Sequence, residues 1–110
     1  MLTLYQAEWC PYSSAVRERL TELGIDFVAR QVEPRREERV GMREATGSDE
    51  IPTLVTDEGE VVVGFREIFR FLRGHTGPYE RAHRERHAEH RRQRLDDMPR
   101  MLIDRLAPLD

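Results

Sequence analysis

Polar and apolar residues alternate over Leu2–Gln6 (LTLYQ), which also holds a β-branched and an aromatic residue, so this segment predicts a strand. Val16, Leu20 and Leu23 then recur at i, i+4 and i+7, the apolar face of a helix that starts near Pro11 and stops at Gly24. Pro11 suits a first helical turn, where its missing N–H would have had no intrahelical partner. Asp26–Val32 (DFVARQV) reads as a second strand. The charged run from Pro34 to Gly47 reads as a second helix with a thin apolar face, Val40 and Ala45. Pro52–Thr56 and Glu60–Gly64 flank Asp57-Glu58-Gly59, the pattern of a hairpin with a glycine-containing turn. Phe65, Ile68, Phe69 and Leu72 follow at i, i+3, i+4 and i+7, predicting a third helix ended by Gly74.

The order is β-α-β-α-β-β-α, complete by residue 76. Two strands joined through a helix are parallel with a right-handed crossover. The hairpin then adds antiparallel strands, giving an α/β domain with a four-stranded mixed sheet over residues 1–76. Gly74–Pro78 (GHTGP) breaks the pattern. Residues 77–110 read as a charged helical extension. Tyr79 to Asp97 holds no Gly or Pro, and Glu80 with Arg84 and Arg81 with Glu85 fall at pairing distance along a helix. Leu95, Met98, Leu102 and Leu106, with Met101 and Leu109 nearby, make an apolar stripe, and Pro99 can open a last short helix. Such a stripe must bury its face, either against the domain or against a second copy in a homodimer.

Composition narrows the class. A length of 110 residues suits one domain with a core of its own. A single cysteine excludes an intramolecular disulfide framework and points to a reducing compartment. The N-terminal residues lack the pattern of a secretory leader, and no apolar run is long enough to span a bilayer, so a cytoplasmic protein without membrane attachment is expected. All 18 basic residues are arginine, against 21 acids. The first 78 residues carry 10 Arg and 14 acids, the remainder 8 Arg and 7 acids. Neither part has the basic stripe of a nucleic-acid binder.

Candidate chemistry centres on Glu8-Trp9-Cys10-Pro11-Tyr12-Ser13-Ser14. A lone cysteine is often a small buried hydrophobe. Here Cys10 follows a strand and stands at the N-cap or N1 of a helix, where unpaired N–H groups and the helix dipole favour a thiolate. Free thiols near pKa 8.5 fall to about 3.5–7.5 in such places, and the thiolate is the nucleophile. Ser13 occupies the place where a Cys-x-x-Cys pair would carry its second thiol. It can donate to the Cys10 sulfur or serve as a small first-turn residue.

The stretches WCPYS (Trp9–Ser13), EIPTLV (Glu50–Val55) and VVGFREI (Val62–Ile68) together resemble the glutaredoxin family. They are similar too to the thioredoxin-like N-terminal domain of glutathione S-transferases. The resemblance implies a thioredoxin/glutaredoxin fold and a thiol–disulfide oxidoreductase with catalytic Cys10, Pro11 and Ser13. It implies a cis Pro52 beside the thiol, and a thiol-ligand groove of Tyr12, Ile51, Pro52, Gly64, Phe65, Arg66 and Glu67. Ile51 would pair through its backbone with the ligand's cysteinyl unit, and the segment from Val63 to Glu67 would hold the γ-glutamyl end. Three departures stand out. Ala7 replaces a lysine that meets the glycyl carboxylate, Val63 replaces a glycine, and Arg66 and Glu67 replace two acids. Glu67 is then the residue left to receive an ammonium, and Arg66 can hold a carboxylate in bidentate fashion.

With one sulfur, the implied reaction is a monothiol one: Cys10 takes a small thiol from a protein mixed disulfide, and a second small thiol regenerates it. Glutathione or another low-molecular-weight thiol is then a cosubstrate, protein mixed disulfides are the clients, and no metal or organic cofactor is required. Two alternatives stay open: a pair of chains sharing a [2Fe–2S] cluster through Cys10 and two external thiols, and a transferase-like binding module. His83, His87 and His90 share one helical face, where a zinc pair or, more simply, a solvated polar surface would fit.

Overall fold

A computed structural model describes residues 1–97. Four strands, β1 (Leu2–Gln6), β2 (Phe27–Gln31), β3 (Thr53–Val55) and β4 (Val61–Val63), form one sheet in the order β2-β1-β3-β4. β1 and β2 run parallel, and β3 is antiparallel to both β1 and β4, so the sheet is mixed as its sequence predicts. The helices are α1 (Pro11–Glu22), α2 (Val40–Thr46), α3 (Phe65–Leu72) and α4 (Arg81–Asp97).

One face of the sheet meets α1 and α3. Leu4 and Leu54 from the central strands interlock with Val16 and Leu20 of α1 and Ile68 and Leu72 of α3, all fully or almost fully buried. Cys10 caps the start of α1 and Gly64 the start of α3. α1 stops as Gly24 takes a left-handed φ of 69°, which lets the Ile25 N–H reach the Leu20 carbonyl at 2.9 Å and the Gly24 N–H reach Thr21 at 3.0 Å. In the hairpin, Gly59 supplies the positive φ (86°) that the β3–β4 turn requires.

The second helix departs from expectation. The run after Pro34 forms a 3₁₀ turn at Arg36–Glu38, and α2 covers only Val40–Thr46. Its packed residue is Met42, 4% exposed, while Val40 is 53% exposed and Ala45 also faces out. Arg39 stands at the break, with its backbone out of helical geometry (ψ 51°) and its side chain buried.

The extension docks. The Gly77 N–H donates to the Leu23 carbonyl at 2.9 Å, and the Tyr79 hydroxyl donates to the Asp26 carboxylate at 3.1 Å. Farther along, Arg91 pairs with Glu18 (2.8 Å) and Glu22 (2.9 Å), so α4 runs antiparallel to α1. Arg81 and Glu85 pair at 2.8 Å as expected. The Glu80–Arg84 pair is not made: Arg84 lies along Gly24, and its Nε is buried without a hydrogen-bond partner. Leu95 falls within α4, whereas Met98, Pro99, Met101, Leu102, Leu106 and Leu109 lie outside the described residues.

Candidate functional site

Cys10 is the N-cap of α1. Its extended backbone (φ −81°, ψ 119°) turns the chain from β1 into the helix, and its sulfur accepts the Ser13 N–H at 3.5 Å. An N-cap side chain accepting from N3 is the ordinary geometry of oxygen caps, here carried out by sulfur. The loop below is tightly tied. The Cys10 N–H donates to the Ala7 carbonyl at 3.1 Å, and the Ala7 N–H donates to the Ser13 hydroxyl at 3.4 Å. Ser13 is fully buried, so its hydroxyl helps to brace β1 against α1 while its amide serves the sulfur.

A second layer of support involves Gln6, Glu8 and Arg17. Arg17 donates to the side-chain carbonyl of the fully buried Gln6, the Gln6 amide donates to Glu8 at 3.0 Å, and Arg17 and Glu8 pair at 3.3 Å. Cys10 itself is 6% exposed, yet it stands outside the apolar cluster of Leu4, Leu20 and Ile68, at the helix end. Trp9 beside it is 63% exposed.

Two residues past the cysteine, Tyr12 forms one wall of a cavity of about 410 Å³. The other walls are Glu50, Ile51 and Pro52 before β3, and Val63 to Glu67 at the start of α3. All seven sequence-predicted groove residues therefore meet in one cavity, and the Ile51–Pro52 peptide is cis. The Tyr12 ring stacks on Phe65 with centroids 4.7 Å apart, and Phe65 meets Phe69 edge-on at 6.1 Å. The Gly64 N–H donates to the Pro52 carbonyl at 2.9 Å, which locks the two walls together. Gly64 caps α3 with φ 87°, and the start of that helix, Gly64 to Glu67, lines this cavity.

The charges are arranged differently from expectation. Glu67 pairs with Arg70 at 2.5 Å, so it is not the uncommitted acid that the sequence suggested. Arg66 lies over the Phe65 ring at 5.9 Å, a cation–π contact. The residue overlooked in the sequence is Glu50. Its Oε2 would touch a Cβ on Gly64 at 3.0 Å, which places a carboxylate over the start of α3 in space that a side chain at 64 would fill. The only advance signal was its place two residues before Pro52. Ala7, where the family resemblance places a lysine, is 2% exposed.

The glutaredoxin family model matches residues 2–62, more than half of the chain. The chain belongs to the glutaredoxin family. Solved structures place this family member among thioredoxin-fold proteins of the glutathione-transferase type. A glutathione S-transferase from Sinorhizobium meliloti 1021 superposes with a TM-score of 0.61 at 27% identity, over 94% of this chain and 50% of that one. A possible glutathione S-transferase from Rhodopseudomonas palustris gives 0.58 at 25% identity, over 76% and 46%. FzlA from C. crescentus gives 0.58 at 27% identity, over 87% and 45%. The chain thus spans about half the length of these structures. No curated protein matches the sequence.

Of the α4 histidines, His87 and His90 are exposed and His83 is half-buried, in keeping with a solvated polar surface. His83 and His87 have ring centroids 4.5 Å apart, His83 also stacks on Tyr79, and His87 and His90 line a cleft between α4 and α1. Among the described residues no set of three His, Cys, Asp or Glu side chains is placed to hold a metal, and no helix is long and apolar enough to cross a membrane.

Proposed function

We propose that this chain is a monothiol oxidoreductase that reduces mixed disulfides between proteins and a glutathione-type thiol, with Cys10 as nucleophile. The observation that carries this reading is the sulfur of Cys10 capping α1 two residues before Tyr12, whose ring walls a groove formed with Pro52 and the start of α3. The Ser13 amide offers a donor to negative charge on the sulfur in the thiolate states that open and close the cycle. Cys10 thiolate attacks the small-thiol sulfur of the mixed disulfide. The protein sulfur leaves as thiolate and takes up a proton, and Cys10 is left in disulfide linkage with the small thiol. A second small thiol, as thiolate, attacks that sulfur, which releases the small-thiol disulfide and restores the Cys10 thiolate. One S–S bond forms and one breaks in each step, the electron pair of each new bond coming from the attacking thiolate, and the net reductant is the pair of small thiols that leaves as a disulfide.

The groove residues take roles from their positions. The α3 amides face a carboxylate of the ligand, Glu50 faces its ammonium, and Tyr12 and Phe65 cover its apolar stem. Pro11 starts the helix that presents the sulfur. The test is glutathione-dependent reduction of a glutathionylated protein. Cys10→Ser abolishes turnover, while Ser13→Ala keeps it within about tenfold, about 1.4 kcal/mol in the barrier. A Cys10→Ser variant that still turns over would refute the reading. A second reading, a transferase-like ligand module, draws support from the 94% of this chain that superposes on one transferase. It would show as tight glutathione binding without disulfide reduction.

A further inference from the structure

Arg39 is a buried cation that the reaction above does not use. It is 7% exposed, and none of its neighbours in hydrogen bonding is a carboxylate. Its Nε donates to the Glu33 carbonyl at 2.8 Å, and its two terminal nitrogens donate to the Asp49 carbonyl at 2.8 Å and the Pro34 carbonyl at 3.1 Å. With its rigid fork of donors on three backbone carbonyls, this guanidinium ties two backbone segments together. One segment is the exit of β2. The other leads, from Asp49, straight into Glu50, Ile51 and Pro52, one wall of the groove.

That wall is anchored at both ends. Downstream, Thr53 Oγ1 donates to the Glu50 carbonyl at 2.5 Å from within β3, and the Pro52 carbonyl is tied to Gly64. Upstream, the Asp49 carbonyl has Arg39, and the Asp49 carboxylate is gripped by Arg36 at 2.7 Å and Arg43 at 2.9 Å. The Cys10 loop shares none of these bonds: it is braced by Ala7, Ser13 and the Gln6–Arg17 pair. We propose that Arg39 is a positioning residue for ligand binding, setting the Glu50–Pro52 wall against α3 while leaving the sulfur untouched. This rests on the groove assignment made under the proposed function.

The separation of the two networks gives the test. Affinity for S-methylglutathione, a ligand without an exchangeable thiol, is measured by calorimetry on the full chain. KM and kcat for a glutathionylated substrate, and the rate of Cys10 alkylation by iodoacetamide, are measured alongside. Arg39→Met is expected to weaken binding and raise KM by about tenfold, because a small displacement of a binding wall has effects of this order. The values of kcat and of the alkylation rate stay at wild type. Arg39→Lys keeps the charge but cannot reach three carbonyls, so it binds with intermediate affinity, and it serves as the measured variant should Arg39→Met not fold. Folded variants with wild-type affinity and KM overturn the proposal, as does an alkylation rate that falls in step with affinity. Wild-type protein that fails to bind S-methylglutathione removes the groove assignment and this inference together. Wild-type binding with turnover that survives Cys10→Ser removes only the nucleophile.

Discussion

Replacing Gly77 by alanine should undock α4. A methyl group on Gly77 would lie 1.7 Å from the Gly24 oxygen and 2.5 Å from the Gly24 carbonyl carbon, where ordinary contact begins near 3.4 Å. Neither partner is a flexible side-chain end, so the linker backbone has to retreat. Retreat breaks the bond from the Gly77 N–H to Leu23, worth about 1 kcal/mol. It also loosens the Arg91 pairs with Glu18 and Glu22, which solvent screening limits to about 1 kcal/mol together. The sum, about 2 kcal/mol, raises the undocked population by about thirtyfold. Trypsin reads this directly, since α4 carries Arg81, Arg84, Arg86, Arg91 and Arg92, and cleavage follows the open population while reclosing is fast. The expected result is α4 clipped faster by that factor, with the rest of the chain as resistant as before. Wild-type clipping rates in a folded Gly77→Ala protein would show that the close approach of Gly24 and Gly77 does not hold α4.

Three further outcomes follow from particular contacts. Leu54→Ala, at a fully buried position between α1 and α3, should cost about 2–5 kcal/mol in denaturant unfolding, and a loss under 1 kcal/mol would contradict the packing. The hydrogen bond to Asp26, aided by its charge, raises the Tyr79 phenol above its ordinary 10.0; the stability it adds is therefore fully present below that value and lost as pH rises through the higher folded one. Trypsin clipping of α4 should accelerate over this alkaline range in wild type, and Tyr79→Phe should remove the acceleration. Asp49 moves the other way: the Arg36 hydrogen bond, then Arg43, hold its carboxyl below the ordinary 3.8, so its contribution is present above that value and fades as pH falls through the lower folded one. Asp49→Asn should flatten that part of the acid unfolding curve, and an unchanged curve would leave the two ion pairs without thermodynamic effect.

Most of this fold is legible in the sequence because its signals are local. Gly24, Gly59 and Gly74 each stand where a positive φ is needed, and the apolar spacings in α1 and α3 mark the side chains that meet in the core. The cavity walls were legible through motif resemblance, since Tyr12, Pro52 and Gly64 lie far apart in the chain. What periodicity could not convey is the destination of long polar side chains. Arg39 reads as one more solvated charge in an acidic and basic run, yet its three acceptors come from two loops that only the folded chain brings together. Glu67 and Glu50 show the same limit: which of two carboxylates is committed depends on Arg70 being one helical turn from the first. The lie of α4 along α1 was not announced either, because α4 carries no apolar periodicity to mark a packed face.

That α1 is capped by sulfur instead of oxygen has a consequence for the helix itself. A sulfur taken into a disulfide or alkylated is a poorer acceptor than a free thiolate, so the Ser13 amide loses most of its partner whenever the cysteine is occupied. On the proposed mechanism each turnover would then briefly fray the first turn, and the backbone beneath Tyr12 would soften while ligand is covalently held and stiffen as it departs.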